Sequence, residues 1–189
     1  AGYSALMLSL GTVKTAFQKL NDLNDFNAGT VNNSAPSVVS AVTTSAAVPG
    51  RHTIEVMQLA AAQRDASNAF ISKTAELNGG TPFTLTLTLG GIAQTPVSVD
   101  TATPQGIVDA INAANQGASA QIVDAGYTDQ VTGSVIAAFK ILLTGPMGES
   151  GAFSYSSSVA GLDLANEPLA SAANATVKVD GLTITRSSN

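Results

Sequence analysis

His52 is the one imidazole in a chain of 189 residues that holds no cysteine. Those two counts decide much of the chemistry. Protein zinc sites draw on several thiolates, imidazoles and carboxylates together, so neither a Cys-ligated nor a His-rich metal site can be assembled here. Thiol catalysis and disulfides fall with the same count. His52 follows Arg51 in a turn that leads into a strand-like run. Ser and Asp are plentiful enough for a Ser-His-Asp arrangement, but no Ser stands in the Gly-x-Ser-x-Gly elbow that would present it. An exposed turn residue is the reading that His52 supports.

Three other patterns bear on ligand chemistry. Asp22, Asn24 and Asp25 cluster as calcium ligands do, yet Phe26 occupies the third ligand position and no distal Glu follows. A helix-terminal turn is the expectation there. Gly145-Pro-Met-Gly148-Glu-Ser-Gly151 spaces its glycines like a phosphate cradle but lacks the Lys-Ser/Thr pair. Pro146 removes a donor and Glu149 repels phosphate, so a flexible, exposed inter-strand loop is expected. Acidic residues are scattered singly, and a paired-carboxylate sugar cleft with stacking aromatics is not evident. Asn32-Asn33-Ser34 and Asn174-Ala175-Thr176 match the N-glycosylation pattern, which has meaning only in a eukaryotic secretory setting. The residues point away from an enzyme, with no cofactor.

The elements that would carry any site are set by an unusual composition. Only 11% of residues are charged, against about 25% in an average domain, while 44% are hydrophobic. Eight Lys and Arg face 13 Asp and Glu, a net charge of −5. Without a basic footprint, nucleic-acid binding is excluded. Hydrophobicity is too high for a disordered chain, and no run approaches the ~18 apolar residues of a membrane span.

Tyr3, Leu6, Leu10, Val13, Phe17 and Leu20 recur at alternating steps of three and four, which suits an ordinary core-facing helix or the seam of a helix that packs on partner helices; the uncapped start favours the second. Asn21 to Asn33 reads as a loop. From Pro36 the period becomes two: Ser37 to Thr44 and Thr53 to Leu59 read as strands, the latter half-buried with Ile54 and Val56 on one face. Leu59 to Ala69 reads as a connector. Phe83 to Leu89 alternates Phe/Leu with Thr and is the clearest strand; Gly90-Gly91 turns the chain and Pro96 to Asp100 offers a partner. Thr103-Pro104 is a helix start, Ile107 and Ile111 form its buried face, and Gly117 is its stop. Ala118 to Asp124, Ala137 to Leu143 and Ala152 to Ser158 read as strands, and Leu162 to Ala173 as a boundary. Asp180-Gly181 joins Ala175–Val179 to Leu182–Arg186 as a two-residue hairpin. A helical pattern already under way at residue 1, and a strand-like run just before Asn189, predict a piece of a longer protein.

Leu10-Gly-Thr-Val-Lys14, Ala46-Ala-Val-Pro-Gly-Arg-His-Thr-Ile-Glu-Val56, Gln58-Leu-Ala-Ala-Ala-Gln63, Gly106-Ile-Val-Asp-Ala-Ile-Asn112, Gly117-Ala-Ser-Ala120 and Val179-Asp-Gly-Leu-Thr-Ile-Thr-Arg-Ser-Ser-Asn189 keep an order and spacing that resembles a known family. That family is the bacterial flagellar filament cap, flagellar hook-associated protein 2. The resemblance implies an α+β fold, mainly β: an N-terminal amphipathic helix, then two small β-rich head domains, the second with one helix near 103–116 and inserted into the first. Residues 1–33 would be the helix and loop of an incomplete leg domain, 34–63 with 166–189 a discontinuous first head domain that later residues could complete, and 64–165 the inserted one. Tyr127 to Ala137 is longer than the usual connection.

By the same resemblance the function is non-catalytic. A ring-shaped homo-oligomer sits at the distal filament tip, exported through the flagellar secretion channel, and promotes flagellin insertion. Flagellin, the hook–filament junction proteins and an export chaperone are the implied partners, with neither nucleic acid nor membrane insertion. The missing cysteines suit export as an unfolded chain. Competing readings are a tip adhesin for mucin glycans, another axial component such as a junction protein, and, last, an enzyme built on His52.

Overall fold

The computed structural model describes residues 2–20, 29–44 and 46–189, which divide into two compact units, Ala1–His52 and Thr53–Asn189. Among the described residues the first unit holds the helix α1 (Gly2–Leu20). Its Thr12 and Thr15 hydroxyls donate back to the carbonyls of Leu8 and Gly11, at 3.0 and 2.9 Å. Such back-bonding satisfies polar groups on a helix poor in charge. The calcium-like cluster at 22–26 lies outside the described residues. No strand forms over 37–44, correcting the expectation from its alternation. Ala35 O accepts from the amides of both Val38 and Val39, and the Asn33 side chain donates to Val39 O. Those bonds make a turn where a ladder would have run, and Val38 and Val42 are left exposed.

The second unit is built on antiparallel sheets. Strands β1 (Ile54–Gln58), β2 (Ala62–Ala66), β3 (Phe83–Leu89), β4 (Ile92–Ala93), β5 (Val97–Val99) and β6 (Ser119–Asp124) run along its first half. Then follow β7 (Tyr127–Thr128), β8 (Val135–Ile136), β9 (Phe139–Met147), β10 (Phe153–Ser157), β11 (Glu167–Ala170), β12 (Ala175–Val179) and β13 (Leu182–Arg186). Helix α2 (Pro104–Ala114) lies between β5 and β6. The fold is therefore mainly β, with an N-terminal helix and a second helix.

The core is where the sequence pattern is strongest. Strand β3 pairs with β10 on one side and with β4 and β5 on the other. Its Phe83, Leu85 and Leu87 are buried while the Thr positions between them face outward. They meet Ile107, Val108 and Ile111 of α2 and Ile141 and Leu143 of β9. Helix α2 starts as its sequence dictates: the Thr103 hydroxyl accepts from Gly106 N–H at 3.0 Å, with Pro104 next. Its stop differs, because Asn115 takes the left-handed conformation two residues before Gly117. A side-chain amide tolerates that geometry better than most residues.

Two further corrections share one cause. Ala62–Ala66 is a strand, paired with β11 and β9, where a connector was expected. Glu167–Ala170 is a strand inside the segment read as a boundary. Neither has an alternating apolar signal, since both owe their conformation to neighbours distant in sequence. The Asp180-Gly181 hairpin forms as expected, both residues at positive φ, and β1 pairs with β12 to make a separate three-stranded sheet.

Amide side chains do what ion pairs do elsewhere. Gln63 accepts from Phe153 N–H at 2.8 Å and donates to Phe153 O at 3.0 Å, extending a ladder between β2 and β10. Asn112 makes the same pair of bonds with Ala120, and Asn189 with Ala60. The Gln63 amide also donates to Asp65, which is buried. Gln63→Ala leaves both Phe153 groups and Asp65 short of partners. A loss of about 2–4 kcal/mol in urea unfolding is expected. Gln63→Glu fares no better at neutral pH, because its carboxylate faces Phe153 O and Asp65.

Candidate functional site

His52 is exposed in an irregular segment, as the sequence reading expected. Among the described residues no group of three or more His, Asp or Glu could hold a metal. The glycine-rich segment is neither open nor loop throughout, which corrects the sequence expectation. Gly145 lies in β9, and Glu149–Gly151 forms a 3-10 turn. An added Cβ at Gly145 would stand 2.5 Å from Gly151 O, and one at Gly151 would stand 2.1 Å from Pro146 O. The glycines serve close backbone packing.

The polar cluster with shifted acidities is structural as well. The Tyr155 hydroxyl accepts from Leu164 N–H at 2.7 Å and donates to the Asp163 carboxylate at 3.0 Å. Burial pushes the Tyr155 phenol up, and the Ala165 amide holds the Asp163 carboxyl below its usual range. A raised phenol contributes stability that is present below pH ~10 and lost as pH rises through its folded value. Tyr155→Phe is expected to lower neutral-pH stability by about 1–3 kcal/mol, leaving Leu164 N–H unsatisfied, and to remove that alkaline loss. Thermal melts from pH 7 to 11 measure both.

What remains are surfaces. On α1, Tyr3, Leu6, Leu10, Val13 and Phe17 are all exposed, between 51 and 79%. Leu20 belongs to the helix, but its side chain lies outside the described residues. The outer face of the β3 sheet pairs Thr84 with Ser98, Thr86 with Ser156 and Thr88 with Ser154, a hydroxyl array without charge. The three-stranded sheet of β1, β12 and β13 sets Ile54, Val56, Val177, Val179, Ile184 and Leu182 on one face by register. Leu182 is 73% exposed. Thr53 to Leu59 is thus more exposed than the half-buried strand expected. The apolar β7–β8 hairpin was missed by sequence reading, its only trace being the extra length of Tyr127 to Ala137.

Known proteins match this arrangement of an N-terminal helix followed by small antiparallel sheets. The family model for the N-terminus of flagellar hook-associated protein 2 matches residues 1–63. Flagellar hook-associated protein 2 of Escherichia coli (strain K12) is 32% identical over 130 residues, covering 67% of this chain. The chain belongs to the flagellar hook-associated protein 2 family. It spans 27% of the length of that Escherichia coli relative. The fold agrees with the crystal structure of the D1-D2-D3 domains of the Escherichia coli flagellar cap protein FliD, with a TM-score of 0.63 at 27% identity. That match covers 95% of this chain and 56% of the other. The D2-D3 structure of the same protein gives 0.60 at 28% identity, covering 79% and 80%.

Proposed function

We propose that this chain acts in a structural cap at the distal tip of the bacterial flagellar filament. There, as a ring-shaped homo-oligomer, it holds exported flagellin and promotes its insertion. The exposed seam from Tyr3 to Phe17 carries the reading, because a helix with so apolar a stripe is stable only against other helices. Residues 1–33 are the leg element; 34–63 with 166–189, and the inserted 64–165, are the two head domains. Support for that division comes from β1 pairing across the intervening sequence with β12, which pairs in turn with β13. The chain does its work by shape and contact, with no catalysis. Flagellin and the hook–filament junction proteins are its neighbours on the filament, and an export chaperone meets it before secretion. The test is complementation: the full-length gene should restore filaments to a cap-deletion strain that leaks monomeric flagellin. Continued leakage with normal export of the protein would sink the proposal.

A second reading rests on the Thr/Ser array of the β3 sheet, whose hydroxyls suit glycan hydroxyls in a tip adhesin. Mucin binding that survives Thr86→Val with Ser156→Ala would remove it.

A further inference from the structure

Asn78-Gly79 lies between β2 and β3, and it pairs two residue types that favour one spontaneous reaction. An asparagine carboxamide carbon is electrophilic, and the backbone nitrogen of the following residue can close a five-membered ring on it. A side chain on that residue crowds the approach, and glycine has none. Asn78 is the one asparagine followed by glycine in this sequence.

The fold adds strain at this pair and only local restraint. Asn78 has φ 50° and Gly79 φ 60°, a left-handed turn that costs a residue with a Cβ about 1–2 kcal/mol. The hydrogen bonds that close the turn run between residues 77 and 81. The Asn78 side-chain amide donates to Thr81 O at 3.1 Å, Gly80 N–H to Leu77 O at 2.9 Å and Thr81 N–H to Asn78 O at 3.1 Å. Nothing lies within 4 Å of the Cβ position at Gly79. The turn therefore opens without breaking a bond between sheets, and opening lets Asn78 Cγ meet Gly79 N in the folded protein. Other side-chain amides are held across the fold: Asn112 by Ala120, Asn174 by Glu149 and Asn189 by Ala60. Asp180-Gly181 shares the positive φ, but its carboxylate and its amide both bind Thr53, and an ionised carboxylate is a poor electrophile.

We propose that Asn78 is a site of spontaneous deamidation. The Gly79 nitrogen gives up its proton and attacks Asn78 Cγ, the Cγ–Nδ2 bond breaks, and ammonia leaves a succinimide. Water then adds to either ring carbonyl and opens it to aspartate or to isoaspartate. Either product puts a carboxylate where the donor to Thr81 O stood. Isoaspartate also threads the side-chain methylene into the backbone, which the left-handed turn cannot hold. The change reaches the core, because Leu77 packs against the main cluster and its N–H donates to Ala102 O at 2.8 Å, just before α2.

The test is incubation of the full-length protein at neutral and at mildly alkaline pH, followed by mass spectrometry that separates aspartate from isoaspartate. A synthetic peptide of residues 74–82 sets the timescale. Residue 78 should convert within a few peptide half-lives, faster at the higher pH, and ahead of every other asparagine. Gly79→Ala should slow conversion at least tenfold, and Asn78→Gln, which would close a larger ring, should stay amidated. Protein in which residue 78 keeps its amide after the peptide is spent would overturn the proposal. Another asparagine converting first would overturn it too, as would Gly79→Ala converting at the original rate.

Discussion

Gly106→Ala is expected to destabilise the β unit by about 3 kcal/mol or more, lowering its melting temperature by roughly 10 °C. Helix propensity alone argues the reverse, since Ala is favoured over Gly by about 1 kcal/mol in a helix interior. Packing decides the sign. Gly106 is buried in the first turn of α2, where the segment before the helix folds over it. An added Cβ would stand 1.9 Å from Thr101 O and 2.9 Å from Thr101 C, both backbone atoms that cannot swing aside. Relief requires moving the 101–103 segment. That movement pulls Thr103 off the Gly106 amide and disturbs Val99 and Ala102, which belong to the core. Gly11→Ala in α1 is the contrast: nothing lies within 4 Å of its Cβ position, so the same change should strengthen that helix. Differential scanning calorimetry of the two variants gives opposite signs if this account holds. Equal signs would refute it.

What could be read from the sequence, and what could not, follows the same division between local and distant causes. Strand β3, the Thr103-Pro104 start of α2 and the Asp180-Gly181 turn are written in consecutive residues, and each stands where its residues place it. Strand β2 is not. Its Ala62-Gln63-Arg64-Asp65-Ala66 has no alternation, and it becomes a strand because β9 and β11 flank it and Gln63 reaches β10. The opposite error came at 37–44, where alternating Val and Ser suggested a strand but local turn bonds consumed its carbonyls. Alternation is necessary for a half-buried strand and insufficient without a partner edge. The helix α1 was legible because a period near 3.5 is a local pattern. The apolar face of the three-stranded sheet was legible strand by strand, in Ile54 with Val56 and Leu182 with Ile184, while the register that joins residues more than 120 positions apart, such as Ile54 and Val179, was not.

Composition and architecture meet in the amide pairs. A chain with 11% charged residues has few ion pairs to specify how its sheets meet. Gln63, Asn112, Asn174 and Asn189 take that role, each making two hydrogen bonds to one residue across a gap between elements. Where both partners are neutral, as between Asn112 and Ala120 or Asn189 and Ala60, such pairs escape the desolvation that a buried ion pair incurs, and added salt leaves them unscreened. The head unit's unfolding should accordingly depend little on ionic strength.

Leu10→Glu combined with Val13→Glu should abolish filament growth while leaving the β unit's stability unchanged. Both side chains are more than half exposed in this chain, and α1 falls in a different compact unit from the sheets. In isolation, then, the substitutions remove no burial. Against partner helices the balance is different. Each buried Leu, Val or Phe of a seam contributes about 1.5–3 kcal/mol, so two losses remove roughly 3–6 kcal/mol. Two carboxylates set among apolar side chains add a desolvation cost, a combined effect large enough to dissolve most helix–helix contacts. Leu8→Gln, on the opposite face of the helix from Leu6 and Leu10, is the control that should still support growth. The readout is swimming and filament length in the complemented cap-deletion strain, beside urea unfolding of the purified protein. Filaments of normal length from the double variant would show that the Tyr3–Leu20 seam packs on nothing. Lost filaments with an equally destabilised β unit would instead mean that the helix and the sheets fold as one body.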